Sequence, residues 1–197
     1  MENKTMTNGT DYIETFLPVF RGYYCTAEGQ MLDDAYEREI DYMLREGYMS
    51  KEDYEKVWFK FDWKKMHDLV AKVAVEVFND KVKGFCGIDS LYEFDKVWSP
   101  SSYNYVNDEI HVKVKRDDYE RLCKAIPKLT EYGWTVDSSD NESIYCANIA
   151  KAVFEVSSKG CYADEVFIWD IEERLSSCGM LENAVWEQFK ELGVIKE

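Results

Sequence analysis

A chain of 197 residues is long enough for one compact domain, or two small ones, with a core that supports itself without covalent staples. Its 46% hydrophobic and 15% aromatic content supplies that core and excludes a disordered tail. The 39 Asp and Glu against 24 Lys and Arg leave a formal net charge of −15. That balance argues against direct binding of nucleic acid or an anionic membrane, because each contact works against a repulsive field.

The six cysteines, Cys25, Cys86, Cys123, Cys146, Cys161 and Cys178, stand singly, with no C-x-x-C pair and no histidine at zinc-finger spacing. The polar opening Met1 to Thr10 lacks the apolar core of a secretory signal, and no stretch approaches the ~20 apolar residues that span a bilayer. These features predict a soluble protein of the reducing cytoplasm, with the thiols acting mostly as small core residues.

In chain order, residues 15–25 are aromatic-rich but carry Pro18 and Gly22, which predicts an edge or irregular strand. Leu32, Ala35, Tyr36, Ile40, Met43 and Leu44 recur at helical spacing before Gly47, predicting an amphipathic helix over 31–46. Asp33, Asp34, Glu37 and Asp41 fall on its opposite face, in an arc of roughly 100° by the 3.6-residue period. The alternation of Val57, Phe59 and Phe61 with Lys56, Lys60 and Asp62 predicts a half-exposed strand at 56–62. Met66, Leu69, Val70, Val73 and Val77 then set a helix from 63 to 80.

Two strands follow, Leu91 to Trp98 and Glu109 to Lys115, joined by the ten residues 99–108. A helix is predicted at 117–125, ended near Pro127, then a loop at 137–143 and helices at 144–156, 162–177 and 180–192. In the second of these, the run Glu165 to Trp169 fits a strand as well as a helix. The fold class expected is α+β, a small mostly antiparallel sheet covered by helices, with a helical C-terminal part. The loop at 137–143 divides residues 1–136 from 137–197, either as two parts or within one continuous domain.

Catalytic signatures are missing: no Walker motif, no G-x-G-x-x-G and no H-E-x-x-H. The two histidines, His67 and His111, read as solvated or hydrogen-bonded side chains, and no cysteine sits in a nucleophile signature. Carboxylate pairs such as Asp33/Asp34, Asp117/Asp118 and Glu172/Glu173 read as helix-start charges or solvated faces. No catalytic residue, metal ligand or cofactor is assigned.

The charge is unevenly spread. Residues 28–55 hold ten acids against three bases, 56–83 seven lysines against four acids, 131–142 four acids and no base, and 155–197 ten acids against four bases. Such blocks serve solubility, but acidic stripes with interleaved aromatics also suit a basic, nucleic-acid-binding protein. Tyr36, Tyr42, Tyr48, Tyr54 and Trp58 are the aromatics placed to add contact energy, with Tyr36 on the apolar face of its helix.

The loop from Trp98 to Ile110 reads Trp-Ser-Pro-Ser-Ser-Tyr-Asn-Tyr-Val-Asn-Asp-Glu-Ile. It resembles an S-P-x-x-Y-N-[FY]-x-[TN]-D-x-[IL] pattern of small acidic proteins of bacteriophages and conjugative elements. The Phe16 to Tyr24 opening, the strand at 56–62 and the helix after it are similar to that group's layout, over about the first 120 residues. The resemblance implies a mobile-element context and no catalytic residues. Some acidic proteins of such elements, antirestriction and anti-CRISPR proteins among them, inhibit host defence by occupying nucleic-acid-binding surfaces. Physically, the residue before Pro100 is pushed out of the helical region, and Asn104 and Asp108 can hold an irregular turn by bonding nearby backbone. Tyr103 and Tyr105 are the contacts if this loop binds.

The leading expectation is therefore a non-enzymatic inhibitor of a host defence protein with a basic nucleic-acid-binding surface, bound through Asp33, Asp34, Glu37, Asp41, Tyr103 and Tyr105. One alternative is an anti-defence protein that binds a small signalling nucleotide or an oligomer interface. The other is a carboxylate-metal hydrolase.

Overall fold

Period-two alternation builds the sheet. β1 (Tyr12–Pro18), β2 (Tyr92–Val97) and β3 (Glu109–Lys115) are antiparallel in the order β1-β3-β2, within a computed structural model that describes residues 12–18, 23–97, 109–118, 121, 124–125 and 163–196. Ile13 lies opposite Val114, Leu17 opposite Ile110 and Phe94 opposite Val112, so the alternate residues Ile110, Val112 and Val114 are buried on one face. The other face is tied by charge: Asp95 meets Lys113 at 2.7 Å and Glu93 meets Lys115 at 3.0 Å. The Glu93 pair runs diagonally, since Glu93 lies opposite Lys113, and the register slips between Phe94 and Lys96, leaving Asp95 as the extra residue of a bulge.

The edge strand expected at 15–25 is at an edge, but it runs from Tyr12 to Pro18, and Tyr23 already opens α1 (Tyr23–Arg45). Proline has no N–H for the ladder, which suits its place as the last paired residue. Past the C-terminus of α1, Gly47 takes φ 79°, the left-handed conformation glycine adopts without strain.

The strand expected at 56–62 is helical instead. Ser50 accepts the Asp53 N–H at 3.1 Å and donates its hydroxyl to the Asp53 carboxylate at 2.6 Å, a cap that starts α2 (Lys51–Val57). A 3₁₀ turn, Trp58–Lys60, follows. The alternation that suggested a strand contains an i, i+4 pair, Val57 and Phe61; both are buried, and the three residues between them point outward.

α3 (Trp63–Cys86) is longer than the span expected and has a wider apolar face. Ala71, Ala74, Val75, Phe78 and Val82 are buried in addition to Met66, Val70, Val73 and Val77, because β2, α1 and the helices at Ala163–Ser177 and Met180–Glu191 all pack against it. Asn79 fastens this helix to the sheet: its Nδ2 donates to the Tyr92 carbonyl at 2.8 Å, and its Oδ1 accepts the Tyr92 N–H at 2.8 Å. Asn79→Ala leaves both backbone groups of a buried residue without that partner, so it should cost about 1–3 kcal/mol in chemical denaturation. A loss under about 0.5 kcal/mol, the scale of a neutral surface change, would show that the clamp is not a stabilising contact.

In α4 (Ala163–Ser177) the ambiguous run is resolved as helix: Phe167, Ile171 and Leu175 are buried at i, i+4, i+8 beside Ile168, and Trp169, Glu172 and Glu173 are exposed. α5 (Met180–Glu191) buries Leu181, Val185, Gln188 and Phe189. Gln188 is polar but satisfied, accepting the Asp62 N–H at 2.8 Å and donating to the Asp62 carbonyl at 3.3 Å. One hydrophobic cluster joins residues of the sheet, α1, α3, α4 and α5, giving the α+β architecture with C-terminal helices.

Residues 116–118, 121, 124 and 125 are helical, in line with the helix expected at 117–125. The loops at 99–108 and 137–143, the division at 136–137 and the helix at 144–156 lie outside the described residues. Among the described residues no helix is long and apolar enough to cross a membrane.

Candidate functional site

α1 presents its carboxylates as the helical period requires. Asp33, Asp34, Glu37 and Asp41 are all exposed, and none forms an ion pair or hydrogen bond with another described residue. The bases on the same helix are engaged elsewhere. Arg38 pairs with Glu39 and with Glu182 of α5, while Arg45 pairs with Glu46 at 2.9 Å and lies 5.5 Å from the centre of the Tyr42 ring. The Glu46 carboxylate accordingly holds the Arg45 guanidinium above its usual range.

The lysine-rich block at 56–83 is not a free positive patch. Lys56 pairs with Asp53, Lys64 with Asp68, Lys65 with Glu191, Lys81 with Asp170 and Lys83 with Asp89, at 2.6–3.3 Å. The remaining two, Lys60 and Lys72, lie over the rings of Phe59 and Phe94. Opposite charges thus pair locally over α2 and α3, and the carboxylates Asp33, Asp34, Glu37 and Asp41 of α1 have no ion-pair partner among the described residues. This acidic surface continues onto α4, where Glu172 and Glu173 are exposed and make no ion pair among the described residues.

A cleft of about 210 Å³ separates α1 from α4 and α5. Its apolar floor includes Ala35, Leu175 and Leu181; Asp34, Glu172 and Glu182 stand at its walls with Arg38. A second cleft, between α3 and α4, is crossed by the Lys81–Asp170 and Arg174–Asp80 pairs. Among the described residues no three His, Cys, Asp or Glu are placed to hold a metal ion. Cys178 is an exception to the expectation that the thiols are mostly core residues: it is free and exposed at the turn between α4 and α5.

His67 is hydrogen-bonded, as its position in the sequence suggests, but its partner is unusual. Its Nδ1 lies 3.0 Å from the carboxylate of Glu28, which is only 5% exposed, so the pair fastens α1 to α3. The Glu28 hydrogen bond, outweighing burial, raises the His67 pKa above its ordinary 6.5; the charges of Asp68 and Asp33 act in the same direction. A raised folded-state value means that the pair's contribution is complete below about pH 6.5 and is lost as pH rises through the folded value. Wild type should therefore lose more thermal stability between pH 6 and pH 8.5 than His67→Gln does. Parallel pH curves for the two proteins would contradict the assignment. His111 sits half-exposed on the polar face of β3, opposite Phe16.

The aromatics divide clearly. Tyr36 packs with Phe61, Trp63 and Phe189, and burial together with a hydrogen bond to Tyr54 raises its phenol well above the usual range, so it remains protonated. Tyr42 and Tyr48 stack at 6.0 Å against the edge of Trp186, exposed beside the acidic face. Trp58 is exposed as expected. Phe59 and Trp169, which the sequence reading did not select, are 64% and 57% exposed. Tyr103 and Tyr105 lie outside the described residues. The signal for Phe59 was available as the i, i+4 spacing of Val57 and Phe61; the signal for Trp169 was its place between buried positions of an α4 helix.

The structure thus brings Asp33, Asp34, Glu37 and Asp41 onto one exposed surface, without ion pairs among the described residues, and adds Glu172 beside Asp34. Compared with models of protein families, with curated proteins and with solved structures, the chain matches none.

Proposed function

We propose that this protein is a non-enzymatic inhibitor that docks the carboxylate face of α1 onto a basic, nucleic-acid-binding surface of a host defence protein. The observation that supports this most is the contrast in charge pairing: five of the seven lysines at 56–83 are paired with carboxylates, while Asp33, Asp34, Glu37 and Asp41 are exposed with no ion pair among the described residues. The spacing also suits the reading. Asp33 to Asp41 covers about 12 Å of helix axis at 1.5 Å per residue, so the four charges are spaced unevenly but on average about 4 Å apart along it. One strand of B-DNA carries a phosphate about every 3.4 Å. A surface that binds phosphates meets a similar line of negative charge along α1, with Tyr42 and Tyr48 beside it for close contact.

The phage-like loop at 98–110 points to a mobile element as source and to the host cytoplasm as the place of action. A nucleotide ligand is less favoured, because at the α1–α4–α5 cleft its phosphates would meet three carboxylates, Asp34, Glu172 and Glu182, against the one guanidinium of Arg38, which is already paired with Glu182. The test is affinity capture from host lysate with the full chain as bait, followed by mass spectrometry. The expected result is a basic, nucleic-acid-handling protein released by rising salt. Recovery of no such protein would contradict the proposal.

A further inference from the structure

We infer that the molecule also binds a second copy of itself head to tail, the Trp58–Phe59–Lys60 turn of one copy entering the α1–α4–α5 cleft of the next. The turn holds two of the three most exposed aromatic residues among those described: Trp58 is 53% and Phe59 64% exposed, and the two rings pack edge to face at 6.2 Å. They form a preshaped wedge on a short 3₁₀ turn, flanked by buried Val57 and Phe61. Next to them is Lys60, which has an aromatic ring but no carboxylate partner among the described residues.

The cleft offers the complement. Its floor is apolar at Ala35, Leu175 and Leu181, and its walls carry Asp34 and Glu172, neither of which has a cation partner among the described residues. An aromatic ring on that floor leaves Lys60 to meet the two carboxylates, so the wedge and the cleft agree in both polarity and charge. Because the two surfaces differ and lie on different elements of one chain, the contact is heterologous: each copy keeps one wedge and one cleft free for further copies. Self-association would cover Asp34 and so compete with the binding proposed above. It does not depend on that proposal, since it needs no partner protein.

The test uses two variants of the full chain. Trp58→Ser with Phe59→Ser removes the wedge and keeps the cleft; Asp34→Lys with Glu172→Lys reverses the cleft and keeps the wedge. All four positions are exposed, and circular dichroism verifies that each variant is folded. In sedimentation equilibrium, wild type should gain average mass with concentration, whereas each variant alone stays at monomer mass. Mixed in equal amounts, the variants should reach up to twice the monomer mass and no more, because one intact wedge meets one intact cleft. A wild type that stays monomeric at millimolar concentration would overturn the inference. So would an associating wild type whose mixed variants remain monomers, which would mean that the contact is like to like.

Discussion

Phe189→Ala should destabilise the protein by about 3–5 kcal/mol, the range for removing a fully buried phenylalanine. Phe189 is the point where α5 meets the rest of the core. Its ring stacks on Phe61 at 5.6 Å and lies 6.2 Å from both Tyr36 and Tyr54, so α5 loses contact with α1, α2 and the segment before α3 when it is cut back. The rings around it cannot collapse easily into the space. Tyr36 is fixed by its hydroxyl contact with Tyr54, and Phe61 precedes Asp62, whose backbone is clamped by Gln188. Most of the lost transfer energy and cavity cost should therefore appear in chemical denaturation. Phe59→Ala, at an exposed ring one turn away, should change stability by under about 0.5 kcal/mol. If the two substitutions cost the same, α5 is not anchored through this aromatic cluster.

The largest functional effect is expected from reversing Asp33, Asp34, Glu37 and Asp41 to Lys together. Electrostatic steering by a surface of one sign raises association rates by about 10–10³ and weakens steeply with salt. The reversed face should therefore lose association rate by a factor within that range at low ionic strength, and its residual binding should no longer respond to salt in the wild-type sense. Folding should survive, because all four side chains are exposed and bond to no described residue. Reversing Glu52 and Glu55 on α2 instead is a control of the same sign and half the size of charge change, at exposed positions of a different helix.

Which parts of this molecule were legible from sequence follows from how many neighbours each element has. α1, α5 and β3 each show a simple period because each buries one face, and the expected exposed and buried positions of Asp33, Glu37, Val185 and Val112 agree with the structure. α3 was read too narrowly, since a helix packed from both sides does not announce its second face: Val75 and Phe78 look like interruptions of the pattern until the sheet and the helices are both in place. At 56–62 the period of two and the period of 3.6 share the residues Val57 and Phe61, and the Ser50 cap decided between them. The misreading mattered for function, because a strand turns Phe59 inward with its neighbours and the 3₁₀ turn puts it in solvent.

The acidic face was found correctly as four residues, but its meaning depends on the pairing that sequence does not display. Counted by segment, 56–83 is basic; in space five of its seven lysines are bound to Asp53, Asp68, Asp89, Asp170 and Glu191, three of which belong to distant parts of the chain or to the following loop. The buried Glu28–His67 pair was hidden for the same reason, its two members standing 39 residues apart. Periodicity places a residue on a face; it does not name the residue across the interface.

The central claim, that α1 is the surface through which this protein engages a basic nucleic-acid-binding site, is tested most directly by competition. The partner captured from lysate is titrated with wild type and with the four-residue charge reversal, in the presence and absence of duplex and single-stranded DNA. The account predicts that wild type displaces nucleic acid from the partner, with an affinity that falls as salt rises, and that the reversal does not. Partner, wild type and DNA held together in one complex, or equal displacement by the reversal, would contradict it.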